Sequence, residues 1–184
     1  MHGTDVADLD TADEGIAVAD AAVCSRSTVV CAVLTADCLP VLLAARDGSA
    51  VGVAHAGWRG LAAGVIEATA QALRARVPAG TALQAWLGPA IGAAHFEVGA
   101  DVLETFTSHD GAAASAFTPN ASGRWQCDLY LLARQRLRAA GIDDISGGGL
   151  CTYSDPVRFY SHRRDVQHRG QPATGRMAAL IWRE

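Results

Sequence analysis

The chain contains no run of about 18 apolar residues, the length a membrane-spanning helix takes. Its opening lacks the basic residues of a secretory signal and carries Asp5, Asp8 and Asp10 instead. Charge is scarce. Only 18% of the residues are charged, and the formal net charge of −4 gives no reason to expect nucleic acid or an anionic membrane as partner. Internal repeats and linker-like composition are absent, so the expectation is one domain over residues 1–184. A cytoplasmic protein is the expectation, with a monomer as its state.

What is present is a core. Half of the residues are apolar, which excludes a disordered chain, and 184 residues (19.1 kDa) are enough to bury a proper interior. The five cysteines, Cys24, Cys31, Cys38, Cys127 and Cys151, are odd in number and stay thiols in a reducing compartment. Four read as small buried hydrophobes. Cys38 has a second reason to be there.

That reason lies in residues 35–60. Two apolar runs, 39–45 and 50–54, flank Arg46-Asp47-Gly48-Ser49. Asp-Gly between such runs is a strong hairpin signal, because a type I′ turn needs positive φ at both central residues. With Asp47 and Gly48 at the centre, Arg46 faces Ser49 and Cys38 falls opposite Gly57. His55 then lies two residues from that partner on the same face. Diagonal neighbours of this kind sit roughly 7–8 Å apart at Cα, within reach of a thiolate and an imidazole converging on one ion. The same two residues also suit a buried thiol beside a core histidine.

Elsewhere the pattern is mixed. A mixed loop and short helix is expected over 7–27 and a buried strand over 28–34. The clearest helix runs over 61–77 with Leu61, Val65, Ala68, Ala72 and Leu73 inward, stopped by Pro78 and Gly80. A strand over 83–87, a short helix over 101–106 and a polar surface loop over 109–123 follow. Asp128 N-caps a second strong helix that ends at Gly141. Residues 159–161 and 177–182 read as late strands. The class is α+β (mixed α/β): mixed sheets flanked by helices in a single compact domain.

Ala36-Asp37-Cys38 followed by His55-Ala56-Gly57-Trp58-Arg59-Gly60 resembles the laccase-domain family of YfiH-like proteins, also called polyphenol oxidases or peptidoglycan-editing factors. Leu87-Gly88-Pro89-Ala90-Ile91-Gly92, Phe96-Glu97-Val98-Gly99, Ser161-His162-Arg163-Arg164-Asp165 and Thr174-Gly175-Arg176-Met177 continue the resemblance in the family's order. The resemblance implies that His2 completes a metal set with Cys38 and His55. Three such ligands leave a fourth tetrahedral position for water or substrate, as in a catalytic zinc site, and copper also suits these donors. Family members carry strands ahead of this histidine, whereas here His2 directly follows the initiator Met. A misassigned start or a fragment is the expectation, since lost strands would leave an open sheet edge and an uncovered core. Between Asp165 and Thr174 the sequence is longer than the family pattern, which suggests an enlarged loop over 166–173 at the rim of the site.

Arg59, Arg163, Arg164 and Arg176 are the residues for a phosphate or carboxylate, with Arg59 near a helix start. Asp37 is expected on the strand face opposite Cys38, as an acceptor behind the metal ligands or a turn cap. Glu97 and Ser161 suit either substrate contact or capping. The resemblance implies purine nucleoside phosphorolysis on adenosine, inosine or methylthioadenosine, with some adenosine deamination. Copper-dependent phenol oxidation and hydrolysis of a cell-wall precursor by a Cys38 nucleophile with His55 as base stand beside it. A metal-binding module without activity is the fourth reading.

Overall fold

The computed structural model describes residues 3–11 and 18–184. Its strands are β1 (Val6–Asp8), β2 (Ala21–Cys24), β3 (Cys31–Thr35), β4 (Leu39–Ala45), β5 (Val51–Ala56), β6 (Leu83–Leu87), β7 (Glu97–Val98), β8 (Phe117–Pro119), β9 (Trp125–Cys127), β10 (Asp144–Gly147) and β11 (Met177–Ile181). Four α-helices among the described residues accompany them: α1 (Trp58–Ala63), α2 (Val65–Arg74), α3 (Ala100–Thr107) and α4 (Leu129–Ala139). The central sheet has the order β1-β2-β5-β4-β6-β10. It is antiparallel from β2 to β6 and parallel at both edges. The α+β (mixed α/β) class is as expected. No helix among the described residues is long and apolar enough to cross a membrane.

Alternation along the hairpin builds two apolar layers. Leu39, Val41, Leu43 and Ala45 of β4, with Ala54 and Ala56 of β5, pack under Leu61, Ile66 and Leu73 and the α4 residues Leu132 and Leu137. Val51 and Val53 face the other way, together with Leu42 and Ala44. There they meet Cys31, Val33 and Ile181 of an antiparallel ribbon formed by β3 and β11. His55 continues the Val51–Val53 face, and Cys38 lies in register opposite Gly57, so both belong to the ribbon side of the sheet. The mouth of the site lies where this ribbon opens.

The hairpin register agrees with the sequence: Leu39 pairs with Ala56 and Ala44 with Val51, which puts Arg46 opposite Ser49. The turn chemistry differs. Asp47 does not have positive φ; Gly48 does, at 74°. Its N–H bonds the Ala45 carbonyl at 3.0 Å, and the Ala45 N–H bonds the Ala50 carbonyl at 3.0 Å. The loop is therefore a four-residue turn with one left-handed glycine, which preserves the same pairing.

Other expectations shift. The helix over 61–77 starts earlier, at Trp58, and breaks at Gly64 (φ 99°), whose N–H closes α1 on the Gly60 and Leu61 carbonyls. The described residues of 7–27 hold part of β1 and all of β2 and no helix; residues 12–17, within the segment expected to hold a short helix, lie outside the described residues. The strand expected over 28–34 is β3, which alternates between buried and exposed positions. The 109–123 segment is not a plain surface loop. Asp110 caps a 3-10 helix (Gly111–Ala116), and Phe117 packs its ring 6.0 Å from Phe106. Residues 159–161 form no strand. The 166–173 segment begins inside a turn of π-helix, Arg163–His168.

Candidate functional site

A cleft of about 310 Å³ opens at the end of the β4–β5 hairpin. Cys38, His55, Gly57, Trp58 and Arg59 come to it from the hairpin and α1, Leu34 and Ala36 from the ribbon, and Ile91 and Phe96 from the segment after β6. His162, Arg163, Gln167 and Arg176 complete the wall.

Gly57 explains why two donors can converge here. A Cβ at this position would lie 2.7 Å from Cys38 Sγ and 3.9 Å from His55 Cδ2. Its backbone, at φ −63° and ψ 160°, suits any residue. Glycine is therefore present for space, not for backbone freedom, and the space lies against the thiol and the imidazole. Sulfur plus imidazole nitrogen is a donor set for zinc or copper, and clearance between them is what an ion needs. Among the described residues no third His, Cys, Asp or Glu joins them in a ligating group. His2, the remaining expected ligand, lies outside the described residues. Its neighbour Gly3 places its carbonyl oxygen 3.0 Å from where a Gly60 Cβ would be, with the His55 carbonyl on the same side. The chain thus enters next to the β5 end that carries His55. Burial, with the Asp37 charge adding to it, pushes the Cys38 thiol up to about 11, while Arg176 and Arg59 pull the other way. Without a cation beside it, this thiol stays protonated at neutral pH and is a weak nucleophile.

Asp37 does not sit on the face opposite Cys38. Its backbone takes a left-handed conformation (φ 84°), unusual outside glycine, and this turns it into the same cleft. Oδ1 accepts from Thr152 Oγ1 at 2.6 Å and Oδ2 from the Arg163 N–H at 2.7 Å. It is both an acceptor beside Cys38 and the partner of the first N–H of the π-helical turn.

The four arginines separate. Arg59, stacked over Trp58 at 4.4 Å, Arg163 and Arg176 line the cleft. Arg163 Nη1 bonds the Glu97 carbonyl at 3.0 Å, and its guanidinium lies 5.5 Å from the Phe96 ring centroid. Burial lowers its pKa below the ordinary arginine value. Arg164 is elsewhere. It is buried, paired with Asp165 at 2.8 Å, and donates to the carbonyls of Thr152, Tyr153 and Phe159 at 2.7, 3.0 and 2.9 Å. It holds the loops behind the site and does not line the cleft. Arg59 is the second residue of α1, a helix of only six residues and too short to bring an anion-binding dipole. Glu97 turns its carboxylate to Asn120, Ser122 and Arg124, and the buried Ser161 hydroxyl accepts from the Arg164 N–H, so neither lines the cleft. His162 and Gln167 are cleft residues that the sequence did not single out. The only signals for them were a place inside the Ser161-to-Asp165 motif and in the 166–173 segment.

Residues 1–184 match the profile of the family described as multi-copper polyphenol oxidoreductase laccase. The chain belongs to this laccase-domain family. A protein of Xylella fastidiosa named purine nucleoside phosphorylase is 52% identical over 189 residues, covering 99% of this chain and 69% of that protein. Purine nucleoside phosphorylase YfiH of Escherichia coli K12 is 46% identical over 182 residues, covering 99% of this chain and 71% of its own length. Among solved structures, Neisseria meningitidis protein NMB0706 superposes with a TM-score of 0.90 at 47% identity, over all of this chain and 72% of that one. The family match and this structural likeness both span the whole length of the chain.

Proposed function

We propose that this laccase-domain protein is a zinc-dependent purine nucleoside phosphorylase acting on adenosine, inosine or methylthioadenosine in the cytoplasm. Adenosine deamination is a side activity. The observation that carries this reading is the sharing of one cleft by Arg59, Arg163 and Arg176 with the Cys38–His55 pair. Three guanidiniums in one small cleft suit a multiply charged oxyanion such as phosphate, and the names of the relatives support phosphate as a co-substrate.

Cys38, His55 and His2 would hold the metal. The chemistry zinc supplies when bound is Lewis-acid polarisation of a substrate oxygen. The protein's own part is positioning. Arg163, fixed on the Glu97 carbonyl, and the more exposed Arg59 and Arg176 bind phosphate and draw charge from it. Phe96, Ile91 and Trp58 offer apolar surface to the base. In phosphorolysis a phosphate oxygen bonds to the ribose C1′ while the bond from C1′ to the base nitrogen breaks. The electron pair leaves with the base, which takes up a proton.

The test is incubation of zinc-loaded protein with adenosine, with and without phosphate, followed by separation of adenine, inosine and ribose 1-phosphate. Adenine and ribose 1-phosphate are expected only with phosphate, and inosine in both cases. Adenine formed equally well without phosphate would overturn the reading in favour of hydrolysis. Phenol oxidation after copper loading, with no nucleoside turnover, would overturn it in favour of the oxidase. Turnover of a cell-wall precursor that needs Cys38 but is indifferent to chelators would replace it with the cysteine hydrolase.

A further inference from the structure

Among the described residues Asp37 is the only acidic one lining the cleft, yet it stands beside three arginines proposed to hold an anion. A free carboxylate there would repel phosphate. This one is spoken for: Oδ1 accepts from Thr152 Oγ1 at 2.6 Å and Oδ2 from the Arg163 backbone N–H at 2.7 Å. Its own carbonyl accepts from the Ile91 N–H at 2.9 Å. One residue therefore ties three separate segments, two of them part of the wall, to the turn that carries Cys38. The φ of 84° is the cost of that reach, in a region that Asp and Asn tolerate better than other side chains.

The Arg163 contact matters most. Arg163 opens the π-helical turn, and its side chain is steadied by the Glu97 carbonyl and the Phe96 ring. With the amide held at one end and the guanidinium at the other, the whole residue is fixed relative to Cys38. Arg59 and Arg176 are exposed and have no comparable hold on their backbone amides from Asp37. We propose that Asp37 is a positioning residue that sets Arg163 at a fixed place beside the Cys38–His55 pair and so tunes phosphate binding in particular. This rests on the phosphorylase reading above. Asp37 is not a catalytic residue, since it acts through Arg163.

Asp37→Asn is the informative variant. It keeps a side chain suited to the left-handed backbone, but with its NH2 turned to the Thr152 hydroxyl it offers the Arg163 N–H a neutral amide oxygen in place of a charged carboxylate oxygen. Thr152→Val is the control, because it removes the Oδ1 partner and leaves the Arg163 contact in place. The readouts on the zinc-loaded enzyme are KM for phosphate, KM for the nucleoside, bound zinc, and calorimetric binding of inorganic phosphate. For Asp37→Asn the phosphate KM and Kd should rise about tenfold, the scale of one hydrogen bond that loses its charged acceptor. Nucleoside KM and zinc content should stay within about twofold, the pattern of a group that touches only one substrate's binding. Thr152→Val should leave phosphate KM unchanged even where it lowers the melting temperature. A rise in both KM values together with zinc loss in Asp37→Asn would show general loosening and overturn the inference. So would an equal rise in phosphate KM in Thr152→Val, a result that stands even if Asp37→Asn does not fold. Wild-type protein that neither binds phosphate nor phosphorolyses nucleosides would overturn the functional reading itself, and this inference with it. Normal wild-type phosphorolysis with an unaltered Asp37→Asn would sink this inference alone.

Discussion

Cys38 and Gly57 face each other across the hairpin, and a Cβ on Gly57 would stand 2.7 Å from the cysteine sulfur. Since the Gly57 backbone lies in an ordinary region, Gly57→Ala tests the space and little else. Zinc affinity should fall roughly 10–100-fold, the range seen when a ligand's surroundings are disturbed. The melting temperature should change little. Cys38→Ser and His55→Ala should each nearly abolish bound zinc, measured by elemental analysis. Full metal in Cys38→Ser would rule out the site as drawn.

Arg163 and Arg164 are adjacent in sequence and should behave as opposites. Arg164→Met leaves the buried Asp165 with only the more distant Arg169, at 3.8 Å, as a cationic partner and should destabilise the fold by about 3 kcal/mol. Arg163→Met removes a bond to the Glu97 carbonyl and should cost about 1 kcal/mol of stability. It should instead raise the phosphate KM sharply while leaving the nucleoside KM near its original value. Urea melts and steady-state kinetics on the same two variants separate the roles.

Asp165 gives the fold an acid-sensitive tie. The Arg164 guanidinium, then the Thr174 hydroxyl and the Ser161 N–H, hold its pKa at about 2 against an ordinary 3.8. A carboxylate depressed on folding stabilises the native state fully above its unfolded pKa and loses that contribution as pH falls through the folded one. Asp165→Asn should therefore be less stable than wild type at neutral pH. The gap should close as pH falls from about 4 to about 2, where the wild-type carboxyl is protonated as well. Denaturant midpoints across that range check the convergence.

Gly64 joins α1 to α2 in a left-handed conformation, φ 99°. Gly64→Ala should cost about 1–2 kcal/mol from backbone strain alone. A variant as stable as wild type would show that the two helices can merge into the single helix the apolar pattern suggests.

Much of this was legible because it is local. The pairing of Cys38 with Gly57 follows from counting out from Asp47 and Gly48, and it survives a turn of a different type because four loop residues set the same register. Asp128 announces α4 by its N-cap bond to the Leu131 N–H. What was not legible depends on distant partners. β3 alternates because its cover is β11, about 145 residues further along the chain, a pairing that no local pattern encodes. Gly64 looks like a tolerated helical glycine until its φ is known. The motif order could not separate Arg163 from Arg164, because the difference lies in which carbonyls surround each guanidinium. The left-handed turn of Asp37 likewise escaped the strand alternation that would have sent it to the far face.

Phosphorus NMR distinguishes phosphorolysis from hydrolysis in a single reaction. Zinc-loaded protein is mixed with inosine and inorganic phosphate, and the phosphate resonance is followed together with release of the free base. A ribose 1-phosphate signal is expected to grow in step with hypoxanthine, with neither product in Cys38→Ser. Hypoxanthine released without any ribose 1-phosphate, or equal turnover in Cys38→Ser, would contradict the phosphorylase reading.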